Sequence, residues 1–318
     1  MNPKELYQSA SASFWQGRGD GGSFDRYFKN VKCIDIRKES PPPQSFSIAG
    51  FKCDEGVRRN LGRPGAFKGP DRIRHFLATL AYHIDPRRQI YDLGDVTCTD
   101  GELERSQLEL SSLVAAASSK GSFTTVFGGG HELAWGQYQG LAQNFKEIGV
   151  VNIDAHFDLR PLENGKGTSG TSFRQIADYC RENNLPFDYL CIGIQPEGNT
   201  PYLFSEAERL GTKYILAEDA YALSSAEEFI SGQKSIYLTI CLDVYAQNFA
   251  PGVSAPSPFG LTPAQVNRYL KMLAKSRKVI GFGIAELAPK FDKDNITARL
   301  AALSTAYFLR NYKFYGSF

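Results

Sequence analysis

Short apolar runs alternate with longer amphipathic stretches along most of this 318-residue chain. Eight runs rich in Val, Ile, Leu and Phe predict strands, at 45–51, 89–96, 123–127, 149–153, 189–194, 214–217, 236–242 and 279–285. The stretches with helical character lie near 70–84, 102–119, 131–146, 172–183, 203–210, 224–230, 262–276 and 295–311. Several strands are almost continuously apolar, which is typical of a parallel sheet covered by helices on both faces. The pattern therefore predicts an α/β fold with a parallel sheet.

The N-terminal part of the chain does not share this alternation. Residues 1–44 are polar and Gly-rich, and three prolines stand at 41–43. We expect an irregular arm there. No linker, repeat or low-complexity tract interrupts the pattern afterwards, so residues 45–318 are expected to form a single domain.

Composition excludes several classes of partner. The 36 Lys and Arg against 34 Asp and Glu leave a net charge of +2, too small a basic surplus for a nucleic-acid binder. No apolar run approaches the roughly 18 residues of a membrane span, and the N-terminus lacks the apolar core of a secretory signal. Six scattered cysteines without a CxxC pair indicate reduced thiols. We expect a cytoplasmic protein that binds a small molecule.

Polar side chains directly follow two of the predicted strands. The third strand is followed by GGG and His131, a motif that by itself is better explained by a tight turn with a satisfied histidine. The fourth strand is followed by Asp154, His156 and Asp158, whose spacing of two directs the side chains to one side. A solvated loop with aspartate caps is the alternative for that segment.

The seventh and eighth strands repeat the arrangement with Cys241, Asp243 and Glu286. The carboxyl ends of strands in such sheets are where ligands bind, so all these side chains are expected at one edge. Ionisable groups beside apolar strands are costly unless opposite charge neutralises them. Carboxylate and imidazole ligands suit Mn, Zn or Fe, and a pair of such cations activates water for hydrolysis.

The motifs GGGHE, DAHFD and CLDV followed by FAPGVSAPSPFGLT resemble the metal-binding motifs of the arginase/agmatinase (ureohydrolase) family. GFGIAEL before the last helix, and SIAGFKCDEGV and GAFKGPDRIR near the start, extend the likeness over about residues 45–312. The resemblance implies a three-layer αβα sandwich around an eight-stranded parallel sheet. It also implies a hydrolase with two Mn²⁺ per subunit that forms a homo-oligomer, a trimer or hexamer.

The resemblance also implies roles for individual residues. The implied metal ligands are His131, Asp154, His156, Asp158, Cys241 and Asp243. Cys241 stands where most members have an aspartate that bridges both metals. Glu286 matches the carboxylate that holds the guanidinium or amidine of the substrate, and Asp158 would also protonate the leaving nitrogen. Asp158, Glu286 and His156 are therefore the implied catalytic residues.

Details of two segments narrow the substrate. Residues 15–20 and 168–175 resemble the family members that convert N-formimidoyl-L-glutamate and water to L-glutamate and formamide in histidine degradation. Phe173 stands where arginases have a proton-shuttling histidine. Two open alternatives are another ureohydrolase, acting on a guanidino acid, agmatine or arginine, and a metal-free relative with a non-catalytic role.

A glutamyl substrate carries two carboxylates, which arginine binds in a bidentate manner. Arg160 lies two residues past Asp158 and is the favoured carboxylate ligand. Ser169, Arg174 and Asn199 are weaker candidates, because Arg174 also fits a helix surface and Asn199 also fits a turn.

Cys241 further predicts redox sensitivity. Neighbouring carboxylates should keep its thiol protonated in metal-free protein, and a second cysteine could then trap it as a disulfide. The candidate partners are Cys33 on the arm and Cys53 after the first strand. An isolated buried thiol is the alternative.

Overall fold

The computed structural model describes residues 5–22 and 24–315. Its strands are β1 (Tyr7–Gln8), β2 (Val31–Cys33), β3 (Phe46–Lys52), β4 (Ile90–Thr97), β5 (Phe123–Gly128), β6 (Ile148–Ile153), β7 (Tyr189–Ile194), β8 (Lys213–Leu216), β9 (Ser235–Cys241) and β10 (Val279–Ala285). Its α-helices are α1 (Glu55–Arg59), α2 (Gly69–Ala78), α3 (Leu103–Ser119), α4 (Leu133–Ala142), α5 (Ser172–Glu182), α6 (Pro201–Arg209), α7 (Ser224–Gly232), α8 (Pro263–Lys275) and α9 (Ile296–Asn311). All eight predicted strands and all eight predicted helical stretches are present.

One sheet contains all of these strands. Its order is β1-β4-β3-β5-β10-β9-β6-β7-β8, and β2 also pairs with β4. Only β1 runs antiparallel, against β4, and the other pairings are parallel. The predicted eight-stranded parallel sheet is therefore confirmed as β3 to β10, with two short strands added at its β4 edge.

Helices cover both faces of the sheet. Helices α2, α7, α8 and α9 contribute to one core cluster, while α3, α4, α5 and α6 contribute to the other. Successive strand residues such as Val150 and Val151 belong to opposite cores, because side chains alternate across a strand. This two-sided burial explains why the strands are almost continuously apolar, and it completes the three-layer αβα sandwich.

The sequence pattern missed helix α1 and strands β1 and β2. Helix α1 has five residues, too few to establish a helical period. Strands β1 and β2 have only two and three residues. Segments this short do not show an alternation of apolar and polar positions. The start of α8, by contrast, has a readable signal: Thr262 Oγ1 accepts a hydrogen bond from the Gln265 N–H, and Pro263 occupies the first turn.

The N-terminal segment is attached to the β4 edge of the sheet. The Trp15 indole donates to Asp92 Oδ2 at 2.8 Å. The buried guanidinium of Arg74 pairs with Asp92 at 2.9 Å and with Asp95 at 2.6 Å. The segment before residue 44 thus contains two short strands as well as irregular chain, and the domain boundary at residue 44 stays a prediction. No helix in the described ranges is long and apolar enough to cross a membrane.

Candidate metal centre and active site

Four neighbouring strands bring the predicted site residues together. Strands β5, β10, β9 and β6 are consecutive in the sheet, and all four end at the same edge because they are parallel. The segment after β5 holds His131, and the segment after β10 holds Glu286. Cys241 ends β9, and Asp154 directly follows β6. His131 and Glu286, which are more than 150 positions apart in the chain, therefore lie at the ends of adjacent strands.

The turn after β5 requires its glycines. A Cβ at Gly129 would lie 1.6 Å from the carbonyl oxygen of Cys53, and one at Gly130 would lie 2.1 Å from Glu132 Oε2. No side chain fits in either place, so the chain can pass against β3 only without one. This close passage places His131 over the end of β5.

The first group of potential ligands surrounds the ring of His131. Its Nδ1 lies 3.0 Å from Asp154 Oδ2 and 2.9 Å from Asp158 Oδ2. Cys241 Sγ belongs to the same group, since its potential ligand atom and those of His131 and Asp154 all lie within 4.8 Å of one another. His131, Asp154 and Cys241 are all buried.

The second group shares Asp154 with the first. It consists of Asp154, His156 and Asp243, whose ligand atoms also lie within 4.8 Å of one another. His156 Nδ1 is 3.6 Å from Asp154 Oδ1 and 3.3 Å from Asp243 Oδ2. The two oxygens of Asp154 therefore face different imidazoles, an arrangement in which this carboxylate would be shared by two neighbouring cations.

The donor set fits a pair of divalent cations. Buried polar atoms normally have a hydrogen-bond partner, yet Asp243 Oδ1 and Glu286 Oε2 have none among the described residues. Imidazole nitrogen and carboxylate oxygen are ligands for Mn²⁺, whereas the softer thiolate of Cys241 suits it less well. An ion held by the second group would give Asp243 Oδ1 a partner, whereas Glu286 lies outside both groups.

The ionisation of these groups reflects their burial beside one another. Burial lowers the pKa of His131, but the carboxylates of Asp154 and Asp158 outweigh burial and raise that pKa well above its usual value. Burial, and then the charge of Asp154, raises the pKa of the Cys241 thiol well above its ordinary value. The expectation that this thiol is protonated in metal-free protein therefore agrees with its surroundings.

Side chains of the sheet form hydrogen bonds that orient the potential metal ligands. Thr239 Oγ1 lies 3.1 Å from His131 Nε2, which leaves Nδ1 directed at the carboxylates. The amide of Asn152 donates to Asp154 Oδ2 at 3.0 Å, and it also donates to the hydroxyl of Tyr189 at 3.1 Å. Such partners fix the orientation and tautomer of a metal ligand.

A pocket opens above the two groups of ligands. Its floor is formed by His131, His156, Asp158, Cys241, Asp243 and Glu286. Its walls are formed by Asn60, Gly62, Arg160, Ser169, Gly198, Asn199, Leu203, Ser254 and Ala255. The site is therefore a cleft that a small molecule could enter, with ionisable groups at its base.

Glu286 and Asp158 have unusual backbone conformations. Their φ angles are +73° and +50°, in a region that non-glycine residues seldom adopt. Glu286 Oε1 accepts a hydrogen bond from the His131 N–H at 3.0 Å, which leaves Oε2 without a partner on the pocket floor. Burial, and then the charge of Glu132, raises the pKa of Glu286 well above its usual value.

The predicted substrate-binding residues separate into two groups. Arg160 and Ser169 line the pocket, and the exposed Arg160 guanidinium has no hydrogen-bond or ion-pair partner in the described part of the chain. Arg174 does not line the pocket. Its guanidinium on α5 pairs with Asp178 at 3.1 Å and with Glu206 at 2.9 Å, which matches the helix-surface alternative.

Asn199 lines the pocket, but its side chain is already engaged. Its Nδ2 donates to the carbonyls of Ala155 and Gln195, both at 2.8 Å. Its Oδ1 accepts from the Phe157 N–H at 3.0 Å. Asn199 therefore holds the ligand-bearing loop after β6, as the turn alternative expected.

The structure brings neither Cys33 nor Cys53 to Cys241. Cys33 lies on β2 beyond β4, and β4 is four inter-strand spacings from β9, or roughly 19 Å. Cys53 directly follows β3, and β3 is three spacings or roughly 14 Å from β9. A disulfide needs Cα atoms within about 7 Å, and all six cysteines are free thiols in this structure. The pairing of Cys241 with Cys33 or Cys53 stays a prediction.

Thr239 and Asn60 are among the residues at the site that were not predicted from the sequence. Thr239 lies two positions before Cys241 on the same face of β9, so alternation along the strand could have indicated it. Asn60 follows the five-residue helix α1, and no local pattern places it in the pocket.

Comparison with known proteins agrees with this geometry. The model of the arginase family matches residues 44–309. The chain belongs to the arginase family. That membership confirms the resemblance seen in the strand-end motifs.

Individual relatives have a more specific name. A formimidoylglutamase from Legionella pneumophila is 47% identical over 311 residues, covering 95% of this chain and 97% of the relative. A formimidoylglutamase from Clostridium tetani is 40% identical over 316 residues, covering 93% and 94% of the two chains. A crystal structure of Trypanosoma cruzi formiminoglutamase with Mn²⁺ has a TM-score of 0.77 at 26% identity, covering 84% of this chain and 93% of that one.

The contact between Thr239 and His131 generates a prediction. Thr239→Val removes the hydroxyl that fixes the imidazole while it keeps the shape of the side chain. We expect the affinity for Mn²⁺ to fall about 10- to 100-fold, the usual effect of losing a residue that orients a metal ligand. Calorimetric titration of metal-free protein with Mn²⁺ measures the change.

Thr125→Val is the matched control. Thr125 is equally buried in the same sheet, and its hydroxyl has no hydrogen-bond partner among the described residues. Equal Mn²⁺ affinity in wild type and Thr239→Val would show that the hydroxyl does not orient His131.

Proposed function

We propose that this chain hydrolyses N-formimidoyl-L-glutamate and water to L-glutamate and formamide, as an enzyme of histidine degradation with two Mn²⁺ per subunit. One observation carries the proposal: the unpaired guanidinium of Arg160 lies on the wall of the pocket whose floor is the double ligand cluster. Such a pocket suits a substrate that joins a hydrolysable amidine to a carboxylate. The names of the relatives support the same reaction.

The ligands divide around Asp154. His131, Asp158 and Cys241 would hold one ion, and His156 and Asp243 would hold the other, with Asp154 shared between them. Bound Mn²⁺ would supply Lewis acidity and an activated water molecule for attack on the amidine carbon. Cys241 would serve as a thiolate ligand, so metal binding at that position has to release its proton.

Glu286 and Asp158 are assigned to the amidine and to the leaving group. The free Oε2 of Glu286 is placed to accept a hydrogen bond from a cationic amidine N–H on the pocket floor. Asp158 would deliver a proton to the departing α-nitrogen of glutamate, so that a neutral amine leaves. His156, whose side chain is 29% exposed, is open to the same pocket and completes the catalytic set.

Arg160 and Ser169 are assigned to the glutamyl half. The α-carboxylate of the substrate is attached to the carbon that bears the departing nitrogen, so its ligand has to lie close to Asp158. Arg160 is two residues after Asp158 in the chain and lines the same pocket. Its guanidinium can hold a carboxylate through two parallel hydrogen bonds, and Ser169 offers a hydroxyl beside it.

Oligomerisation and location extend the proposal. We place the protein in the cytoplasm as a homo-oligomer, a trimer or hexamer. Large apolar side chains such as Leu303 and Phe259 are exposed, as surfaces between subunits would require. All six cysteines are free thiols, the state that a reducing compartment maintains.

A product assay tests the proposed reaction. We expect protein purified with reductant and loaded with Mn²⁺ to release formamide and glutamate in equal amounts from N-formimidoyl-L-glutamate. Parallel reactions with 4-guanidinobutyrate, agmatine and arginine should release little urea. Urea from a guanidino compound without formamide release would assign another ureohydrolase, and no Mn²⁺ binding with no product would assign a non-catalytic relative.

Arg160→Ala tests the carboxylate ligand. Losing a charged hydrogen-bond partner should cost about 2–3 kcal/mol of transition-state stabilisation, or roughly 30- to 150-fold in kcat/KM. The Mn²⁺ content should stay the same, because Arg160 is not one of the proposed metal ligands. Arg181→Ala, at an exposed arginine on α5, is the control. An unchanged kcat/KM in Arg160→Ala would remove this residue from the site.

A further inference from the structure

The side chain of Arg59, at the end of α1, joins three segments of the chain around the pocket. Its Nε donates to Glu55 Oε1 at 2.9 Å within the same helix. Its Nη1 donates to Glu104 Oε1 at 2.6 Å and to the carbonyl of Gly167 at 3.0 Å. Its Nη2 donates to the carbonyl of Gly101 at 2.8 Å and to Glu104 Oε2 at 3.2 Å. All five N–H groups of the guanidinium are therefore used.

These contacts bind both backbone groups of Gly167 in the loop that follows β6. Arg59 binds the carbonyl of Gly167, and Glu104 Oε1 accepts the Gly167 N–H at 3.2 Å. The ion pair between Arg59 and Glu104 thus fastens this loop to α1 and to the first turn of α3.

Residues close to Gly167 form part of the pocket wall. Asn60, directly after Arg59, donates from Nδ2 to Ser169 Oγ at 3.2 Å. The backbone N–H of Arg160 donates to the carbonyl of Gly170 at 3.0 Å. A Cβ at Gly170 would lie 2.9 Å from Arg160 Cδ and 3.1 Å from the Asn60 amide, so these three residues are packed without spare room. Any shift of the loop against α1 would therefore move Ser169 and Arg160.

Arg59 itself is not available to a substrate. Its side chain is only 12% exposed, its donors are saturated, and it is absent from the lining of the metal-centre pocket. It lines the adjoining cavity together with Arg160 and Asn60. We propose that Arg59 is a positioning residue, which fixes loop 167–170 so that Ser169 and Arg160 meet the substrate carboxylate. This inference rests on the proposed function of the pocket.

Lysine cannot replace arginine in this place. Its ammonium has three donors around one atom, whereas the contacts of Arg59 require five donors in a planar fork. Arg59→Lys keeps the charge and most of the volume of the side chain. It therefore tests whether the planar set of donors is required in addition to the positive charge.

The first measurement separates binding from turnover. In Arg59→Lys we expect KM for N-formimidoyl-L-glutamate to rise about tenfold, with kcat within about twofold of wild type and unchanged Mn²⁺ content. N-propylformamidine has no carboxylate, so its kcat/KM should be the same in both proteins. Arg58→Lys is the control, because Arg58 is exposed on the same helix and, among the residues that the structure describes, pairs only with Glu55. A purely structural role would lower the melting temperature and leave KM unchanged, which would overturn the inference.

The second measurement does not depend on turnover. Glutarate carries two carboxylates and no amidine, so we expect its Kd for Mn²⁺-loaded Arg59→Lys, measured by calorimetry, to be about tenfold weaker than for wild type. Glu104→Gln should weaken it several-fold, which provides a second variant should Arg59→Lys fold poorly. Equal Kd values, or no glutarate binding to wild type, would contradict the positioning role. Glutarate binding without formamide release would instead reject the proposed reaction.

Discussion

The carboxylate of Asp154 is the group on which the rest of the site depends. It is buried at the end of a strand, and its two oxygens face two different imidazoles. Asp158, Asp243 and Glu286 add further carboxylates within the same pocket. Negative charge this concentrated is costly away from water unless positive charge compensates it. A pair of cations that shared Asp154 would supply that charge and would also give the pocket its chemistry.

The order of strands in the sheet makes this concentration of charge achievable. Strands β5, β10, β9 and β6 are neighbours although they are far apart in the chain, so each contributes one or two side chains to a common edge. The apolar bodies of the same strands are packed between two helical layers, which keeps the edge rigid. Residues behind the ligands, such as Thr239 and Asn152, are part of the sheet itself and orient the ligands without any loop.

Much of this organisation could be predicted from the sequence, for definite physical reasons. Strands buried on both faces are continuous apolar runs, and ligands spaced by two residues after a strand face one edge. Other features depend on contacts that no local pattern contains. The ion pair between Arg174 and Glu206, 32 residues apart, removes that arginine from the pocket. Attachment of Cys33 and Cys53 to distant parts of the sheet depends on strand order, and Arg59 acts through partners up to 108 residues away.

The substrate half of the pocket is built differently from the metal half. Its wall comes from α1 and from the loop after β6, which are held together by hydrogen bonds from Arg59 and Asn60 instead of by strand pairing. Specificity can therefore change through these segments while the ligands stay in place.

The sharing of Asp154 is tested most directly by electron paramagnetic resonance during titration of metal-free, reduced protein with Mn²⁺. We expect two ions to bind per chain and their signal to show exchange coupling, because one carboxylate would join them. A single bound ion at saturation, or two ions with the uncoupled spectrum of isolated Mn²⁺, would contradict it.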